Sequence, residues 1–523
     1  MRRILAKRQA DDRIPFLMKI AVEDHDLAFT IPTLAGVSNV YKYDVCWDMG
    51  RGEDIWEKNK VGSETHLYAQ SGVYLVGVRG VFPGIHFGSG SSENASKLTA
   101  IAQWGSIAWK SFNDAFNGCK NLEIDAIDTP DLSECFSFLR SFKNCASLRG
   151  GIGNWAVNAI AMQEMFSGCT SFNESLNAWN VSSVTNFSSL FNDCFSFNGD
   201  LSSWNVSSAT TMINLFRNAR NFNQNISSWN VGSVENMNSM FRGCVSFNEN
   251  LNTWDVSSVI NFEYMFSGCI TFNQSLNSWN TVAATSMREM FNGCISFNGA
   301  VGGWNVSNVK NMRRAFINCS VFNQDLSLWN VSSVTNMNGM FAYAAIFNGN
   351  ITTWNVSSVK DFYGFLNECK VFNQNLGGWD VSSATNMYSM FNYCDVFNQD
   401  LKLWDVSNVT DMNRMFQDNF ALNQDFSSWN ISNVTDMRFI FKKVTLSTSY
   451  YDALLLAWSE LPVQMDVPFD AGYSIHSSGA PLVAKQKLIN DYNWEISDSG
   501  IYAGISTADT TILTDNTTIK TDL

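Results

Sequence analysis

The sequence predicts a repeat solenoid, with one short strand and one short helical segment per 25-residue coil, behind an N-terminal antiparallel β-sandwich. Three observations lead there. Twelve tryptophans recur from Trp155 to Trp429, the first interval being 24 residues and every later one 25. A period that strict marks a repeat architecture, in which each unit buries its apolar face only against its neighbours. Around each tryptophan the apolar residues fall in fixed columns, while other columns vary freely. No proline occurs between Pro130 and Pro462, so every coil keeps its backbone donors.

The unit at residues 326 to 350 reads LSLWNVSSVTNMNGMFAYAAIFNGN. Leu or Ile stands three before Trp (Leu176, Leu201, Ile226), Val two after it (Val181, Val206, Val231), and Met or Phe eight after it (Phe187, Met212, Met237). A Phe follows twelve after Trp (Phe191, Phe216, Phe241). The step from Leu to Trp to Val predicts a short strand, and V-x-x-M-x-x-M-F carries the spacing of one or two helical turns. That plan is leucine-rich-repeat-like. At about 4.8 Å per coil, the coils marked from Phe116 to Phe441 would span roughly 65 to 70 Å.

Two polar columns belong to the same scaffold. An Asn follows the second Phe in every unit from Asn173 to Asn423, and is expected to form a buried ladder in which each coil completes the next one's hydrogen bonds. The Asn-X-Ser/Thr sequons, such as Asn180, Asn205 and Asn330, arise from the repetition and are not read as glycosylation sites. Ten of the twelve cysteines fall in one column, three after the Phe, where Ala219 and Ala344 also appear, so the column wants something small. Parallel side chains aim their Cβ vectors alike, which is poor disulfide geometry, so reduced buried thiols are expected. No Cys has a His at zinc-ligand spacing.

Outside the array the patterns differ in kind. Residues 1 to 90 alternate apolar and polar positions at 27–33, 40–47, 65–69 and 73–82, as in a small β-sandwich that docks the rod to a larger assembly. Residues 91 to 154 read as a linker followed by irregular capping coils, because F-N-D-A-F-N-G-C and F-L-R-S-F-K-N-C resemble the unit without its Trp. The repeat array runs from 155 to 445. Residues 446 to 500 look like a C-terminal cap with helices near 450–459 and 482–491, and residues 501 to 523 form a Thr-rich tail.

Net charge is −14 with 16% charged residues, which lacks the basic stripe that nucleic-acid binding needs. No run of eighteen apolar residues marks a membrane span. The basic start leads into no apolar segment, so no secretory signal is visible. The four histidines, His25, His66, His86 and His476, lie outside the array, so no His-based catalytic or metal triad forms along it. Paired carboxylates could serve a glycan-active enzyme, and a calcium site would also use them. The candidates are Asp380 with Asp405, Asp400 with Asp425, and Asp411 with Asp436; the simpler reading is Asp standing for Asn on a solvated edge. No cofactor or metal is expected, and the reading is non-enzymatic.

The better candidate is the variable pair after the Met column. It includes Tyr264, Arg288, Arg313, Arg314, Tyr363, Tyr388, Arg414 and Arg438. One column of a stacked repeat becomes one stripe along the rod. Arg and Tyr are the types that anchor interfaces and stack on sugars.

The unit W-N-V-S-S-V-T-N-M-x-x-M-F-x-x-C-x-x-F-N-x-x-L is similar to the 25-residue repeat of the BspA-like leucine-rich-repeat surface proteins, over roughly residues 104 to 500. The segments Y-D-V-C-W-D-M-G and T-H-L-Y-A-Q-S-G-V-Y-L-V resemble the polycystic-kidney-disease-type β-sandwich, with its V-D-W-G-D-G altered from Val45 to Gly50. The resemblance implies surface display and adhesion. Cellular members generally carry an export signal or lipobox cysteine; the visible lack of either turns the expectation toward a virion appendage, such as a phage fibre, that recognises a host-surface glycan or protein. A bacterial cell-surface adhesin is the alternative. A homo-oligomer stays open.

Overall fold

The computed structural model describes residues 13–34 and 40–502. The basic start and all but the first two residues of the Thr-rich tail lie outside the described residues.

The N-terminal strands are β1 (Phe16–Val22), β2 (Ala28–Ile31), β3 (Lys42–Cys46), β4 (Glu57–Lys60), β5 (Glu64–Leu67), β6 (Gly72–Val81), β7 (Leu98–Gln103) and β8 (Glu123–Ile124). Six of them form one sheet in the order β4-β3-β6-β1-β7-β8, and β2 pairs with β5 in a second. Strand β1 lies centrally between β6 and β7, and buries Phe16, Met18, Ile20 and Val22 on alternate residues. Sequence reading passed over it despite that alternation.

The expected linker after residue 90 is a helix, α1 (Ser92–Lys97), capped by Ser91 accepting from the Asn94 N–H. Its Asn94 amide in turn grips the backbone of Thr30 at 2.9 and 3.0 Å. The expected boundary there also dissolves. Strand β7 runs antiparallel to β1 and parallel to β8, which belongs to the first coil, so sheet and coils share one core from Phe16 to Trp494.

From residue 125 to 447 the chain is a stack of coils, but each coil differs from the plan read in the sequence. The described residues there contain no helix and no strand, only isolated bridges such as Thr211 to Asn236 to Asn261. These bridges fall seven residues after Trp, not at the Leu-Trp-Val step. Each coil is a succession of β-turns. In one of them the N–H groups of Trp229, Val234, Met240, Cys244 and Phe247 donate to the carbonyls three residues earlier, at 2.9 to 3.1 Å. A three-residue apolar spacing is shared by a helical turn and by such a chain of turns, which is why the helix expectation failed.

Coils are joined by backbone columns. Met237, Ser239, Phe241 and Gly243 donate to the carbonyls of Asn261, Glu263, Met265 and Ser267 in the next coil, at 2.7 to 3.1 Å. The carbonyls of Asn236, Asn238, Met240 and Arg242 accept from the coil before, at 2.7 to 3.0 Å. Four peptide units per coil therefore stack head to tail along the rod, each accepting from one neighbour and donating to the other. Dipoles of about 3.5 D align there as they do in a helix.

Side-chain columns reinforce the backbone. Each Trp indole N–H from Trp179 to Trp429 donates to the carbonyl of the preceding coil's Leu-column residue, at 2.8 to 3.3 Å. The Phe rings stack coil on coil, as in Phe191 on Phe216 at 5.6 Å and 2°. All twelve cysteines are unpaired and buried. In the repeat column the thiol donates to a carbonyl of the coil before, as Cys244 does to Phe216 at 2.9 Å. The asparagine ladder forms, with each Oδ1 taking the N–H of the next Asn at 2.7 to 3.1 Å, but it runs along an exposed edge and not in the core.

The far end is closed by α2 (Thr448–Trp458), β9 (Pro468–Asp470), α3 (Ala480–Tyr492) and β10 (Glu495–Ser497). There Phe441 donates to the Asp470 carbonyl at 3.1 Å, and the Trp458 indole donates to Phe426 at 3.3 Å.

Candidate binding groove

The variable pair occupies the two corner positions of the Met-x-x-Met turn. Its middle peptide is one of the four stacked units, and to point along the rod it must be flipped as in a type II turn, which requires φ > 0 at the third residue. The second residue of the pair holds that conformation in ten consecutive coils, with φ from 53 to 60°. Only Gly339 and Gly364 are glycines; Tyr264, Glu289, Arg314, Arg414 and Phe439 sit there too. A bulky residue in this region is strained, and two coil-to-coil hydrogen bonds hold it in place.

The residue before Cys is a second such column, occupied by Gly243, Gly268 and Gly293 but also by Tyr343, Glu368 and Tyr393. Its Gly and Asn content was the available signal, and sequence reading missed it.

Of the eight residues singled out in the sequence, the structure brings four together. Arg314, Tyr363, Tyr388 and Arg414 line a groove of about 280 Å³, with Asn338, Gly339, Ala342, Tyr343, Gly364, Ser389 and Asn392 among its other walls. The hollow exists because Gly339 and Gly364 lack side chains at φ +58 and +57°, where neighbouring coils carry Arg314 and Ser389. Arg314 leans across the first gap, its Cγ within 3.3 Å of where a Cβ on Gly339 would be. Tyr363 and Tyr388 stack in parallel at 4.7 Å and 5°. Burial raises the Tyr363 phenol above its ordinary pKa, and Tyr388 beside it adds to the effect.

The other four lie elsewhere on the stripe. Tyr264 is sandwiched between Arg242 and Arg288, with guanidinium carbons 4.8 and 5.2 Å from its ring centre. Arg288 also meets Glu289 at 3.6 Å. Arg313 has a buried Nε without a partner. Arg438 is bound to Asp436 at 2.5 Å and borders a separate hollow against the C-terminal cap.

Some buried polar atoms of this stripe lack a hydrogen-bond partner. They include Nε of Arg313 and Arg414 and Oδ1 of Asn338 and Asn413, with Oδ1 of Asn392 and Oε1 of Gln417 in another column. Six consecutive coils also each expose an apolar residue one or two after the Cys column, Ile270, Ile295, Val321, Ile346, Val371 and Val396, between 38 and 49% exposed.

The paired carboxylates are engaged locally. Asp380 and Asp405 each accept the N–H of the Ser two residues on, at 3.0 Å, and Asp425 meets Lys402 at 2.8 Å. Asp411 and Asp436 stack one coil apart, each capping the N–H two residues on at 2.9 Å.

Fold and groove define a tandem-repeat scaffold that presents one variable stripe on a monotonous core. The chain belongs to the family described as Mycoplasma protein of unknown function, DUF285, which matches residues 110–226, 200–301, 285–395 and 367–454. These four overlapping matches cover the coils without a gap. No curated protein and no solved structure matches the chain.

Proposed function

We propose that the protein is a non-catalytic surface attachment protein whose stacked solenoid holds the stripe from Tyr264 to Arg438 toward a ligand on another surface, while the N-terminal end joins its carrier. The observation that carries this reading is the groove of about 280 Å³ on the single variable stripe, lined by Arg314, Tyr363, Tyr388 and Arg414. Arg and Tyr are the residue types that anchor interfaces, and a groove lined by them on an otherwise monotonous rod marks a face suited to a partner. Membership of a family described from Mycoplasma favours a cell surface over a virion as the carrier.

The test is a protein carrying Tyr264→Ala, Arg314→Gln, Tyr363→Ala and Tyr388→Ala, checked for fold by circular dichroism. Attachment of beads coated with this variant to cells should fall to background, relative to beads coated with the unaltered chain. Equal attachment by both would end the proposal.

A further inference from the structure

We propose that the groove between Arg314 and Arg414 is a subsite for an anionic polysaccharide, with the Tyr363–Tyr388 pair as its aromatic contact. This rests on the attachment reading and assigns the chemical class of its ligand. The charge argument comes first. The chain carries a net −14, yet the groove lining contains two arginines and no Asp or Glu. Arg140, Arg288 and Arg438 on this face each meet an acid, Asp114 at 2.7 Å, Glu289 at 3.6 Å and Asp436 at 2.5 Å, whereas Arg313, like the two groove arginines, meets none among the described residues. Among the described residues neither Arg314 nor Arg414 has an acidic partner within 4.0 Å, and the Arg414 Nε is buried without any acceptor. Unpaired guanidiniums are suited to carboxylate or sulfate, which they bind in a bidentate fork.

Shape and polarity narrow the class further. The two arginines stand in one column four coils apart, about 19 Å at about 4.8 Å per coil. A single small anion does not span that distance; an extended chain with repeated charges does. Between them the groove offers two tyrosine rings, that of Tyr363 belonging to a residue 40% exposed. Among the described residues neither Tyr363 nor Tyr388 uses its hydroxyl in a hydrogen bond. Hydroxyls of this kind suit sugar hydroxyls, and aromatic rings suit the apolar faces of sugar rings. A volume of about 280 Å³ is at the small end for ligand clefts. It fits part of a polymer lying along the rod better than a whole enclosed ligand.

Calorimetric titration of the full chain with a galacturonic acid hexamer, a heparin hexasaccharide and neutral maltohexaose tests this. Binding of either anionic probe, with maltohexaose inert, is the expected result, and the stronger of the two identifies carboxylate or sulfate as the recognised group. Arg414→Gln should weaken that binding about tenfold or more, as loss of a charge-assisted contact does. Gly364→Glu fills the hollow with an acid in a column that already accepts Glu289 at φ 53°, so it should fold and abolish binding. Maltohexaose binding as well as the acids, or the acids binding Gly364→Glu unchanged, would overturn the proposal. So would silence from both anionic probes, and if the same protein still attached to cells, the attachment reading would survive while this ligand class fell.

Discussion

Asp411 is one of three acids, with Asp361 and Asp436, in a column held mostly by asparagine. The same place is held by Asn236, Asn261, Asn311, Asn336 and Asn386, all of which bridge to the next coil. Burial raises the Asp411 carboxyl above its ordinary value, opposed by the Asn413 N–H and further raised by Asp436 one coil on. A carboxyl whose folded pKa exceeds its unfolded one holds its proton more tightly in the folded state. Its ionisation therefore costs stability above the folded pKa, and the cost disappears as pH falls below the unfolded value near 3.8. Asp411→Asn keeps the acceptor for the Asn413 N–H, and should stabilise the protein by about 0.5 to 1 kcal/mol at neutral pH. Urea unfolding at pH 7 and again at about pH 3 checks it, because the gain should vanish at the lower pH. Residue types were legible in the sequence, but their exposure was not. The asparagines after the second Phe were expected inside and lie on an edge, since periodicity gives the face of a coil only when the path of the backbone is known.

At the scale of the coil, the tryptophan ladder is the element that turns repetition into stability. Trp304 donates to Leu276 at 2.8 Å and stacks on Trp279 and Trp329 at 6.1 and 6.0 Å. Trp155 is buried too, but its indole N–H has no partner, because no regular coil precedes it with a Leu carbonyl in place. Trp304→Phe loses ring volume and one of the two hydrogen bonds to the Leu276 carbonyl, which keeps the Trp279 N–H at 3.1 Å, and should cost about 2 to 4 kcal/mol. Trp155→Phe loses ring volume alone, and should cost about 1 kcal/mol less. Chemical denaturation of both variants measures the difference; equal losses would show that the indole hydrogen bond contributes nothing. The turn chain itself was hidden from sequence reading, because V-x-x-M-x-x-M-F satisfies a helix and a run of β-turns equally. Glycines at 243, 268 and 293 were the residues that could have decided it, since positive φ is foreign to a helix interior.

For the whole molecule, one core continues from the N-terminal sheet through the coils to the cap, so the ends are structural closures. Phe16, Trp104, Trp109 and Trp155 seal one end through ring contacts of 5.0 to 5.9 Å. Removing residues 1 to 90 would strip strands from a shared sheet and uncover that cluster, so carrier attachment is better probed by surface substitutions than by deletion. At the other end, stopping the chain at residue 446 removes the Asp470 acceptor, the Phe469 ring against Phe441 and the Trp458 indole that donates to the Phe426 carbonyl. That truncation should bind a hydrophobic dye and self-associate. Excising one internal unit, residues 276 to 300, joins matching positions of neighbouring coils, and the shortened protein should fold with a melting temperature lowered by only a few degrees, on the order expected for nearest-neighbour repeats. Thermal melts and light scattering of both constructions separate the two behaviours.

The sequence by itself determined the period, the extent of the array, the apolar columns and the reduced cysteines, because each follows from which residue types recur and at what interval. It also marked the stripe, since variability among constant neighbours needs no coordinates to be seen. Tertiary structure decided what a coil is made of, where the first domain boundary fails, and which four of the eight stripe residues meet. Those outcomes depend on hydrogen bonds between coils: a peptide flipped to join its neighbours forces positive φ, and two glycines at that flip open the groove that no single repeat contains.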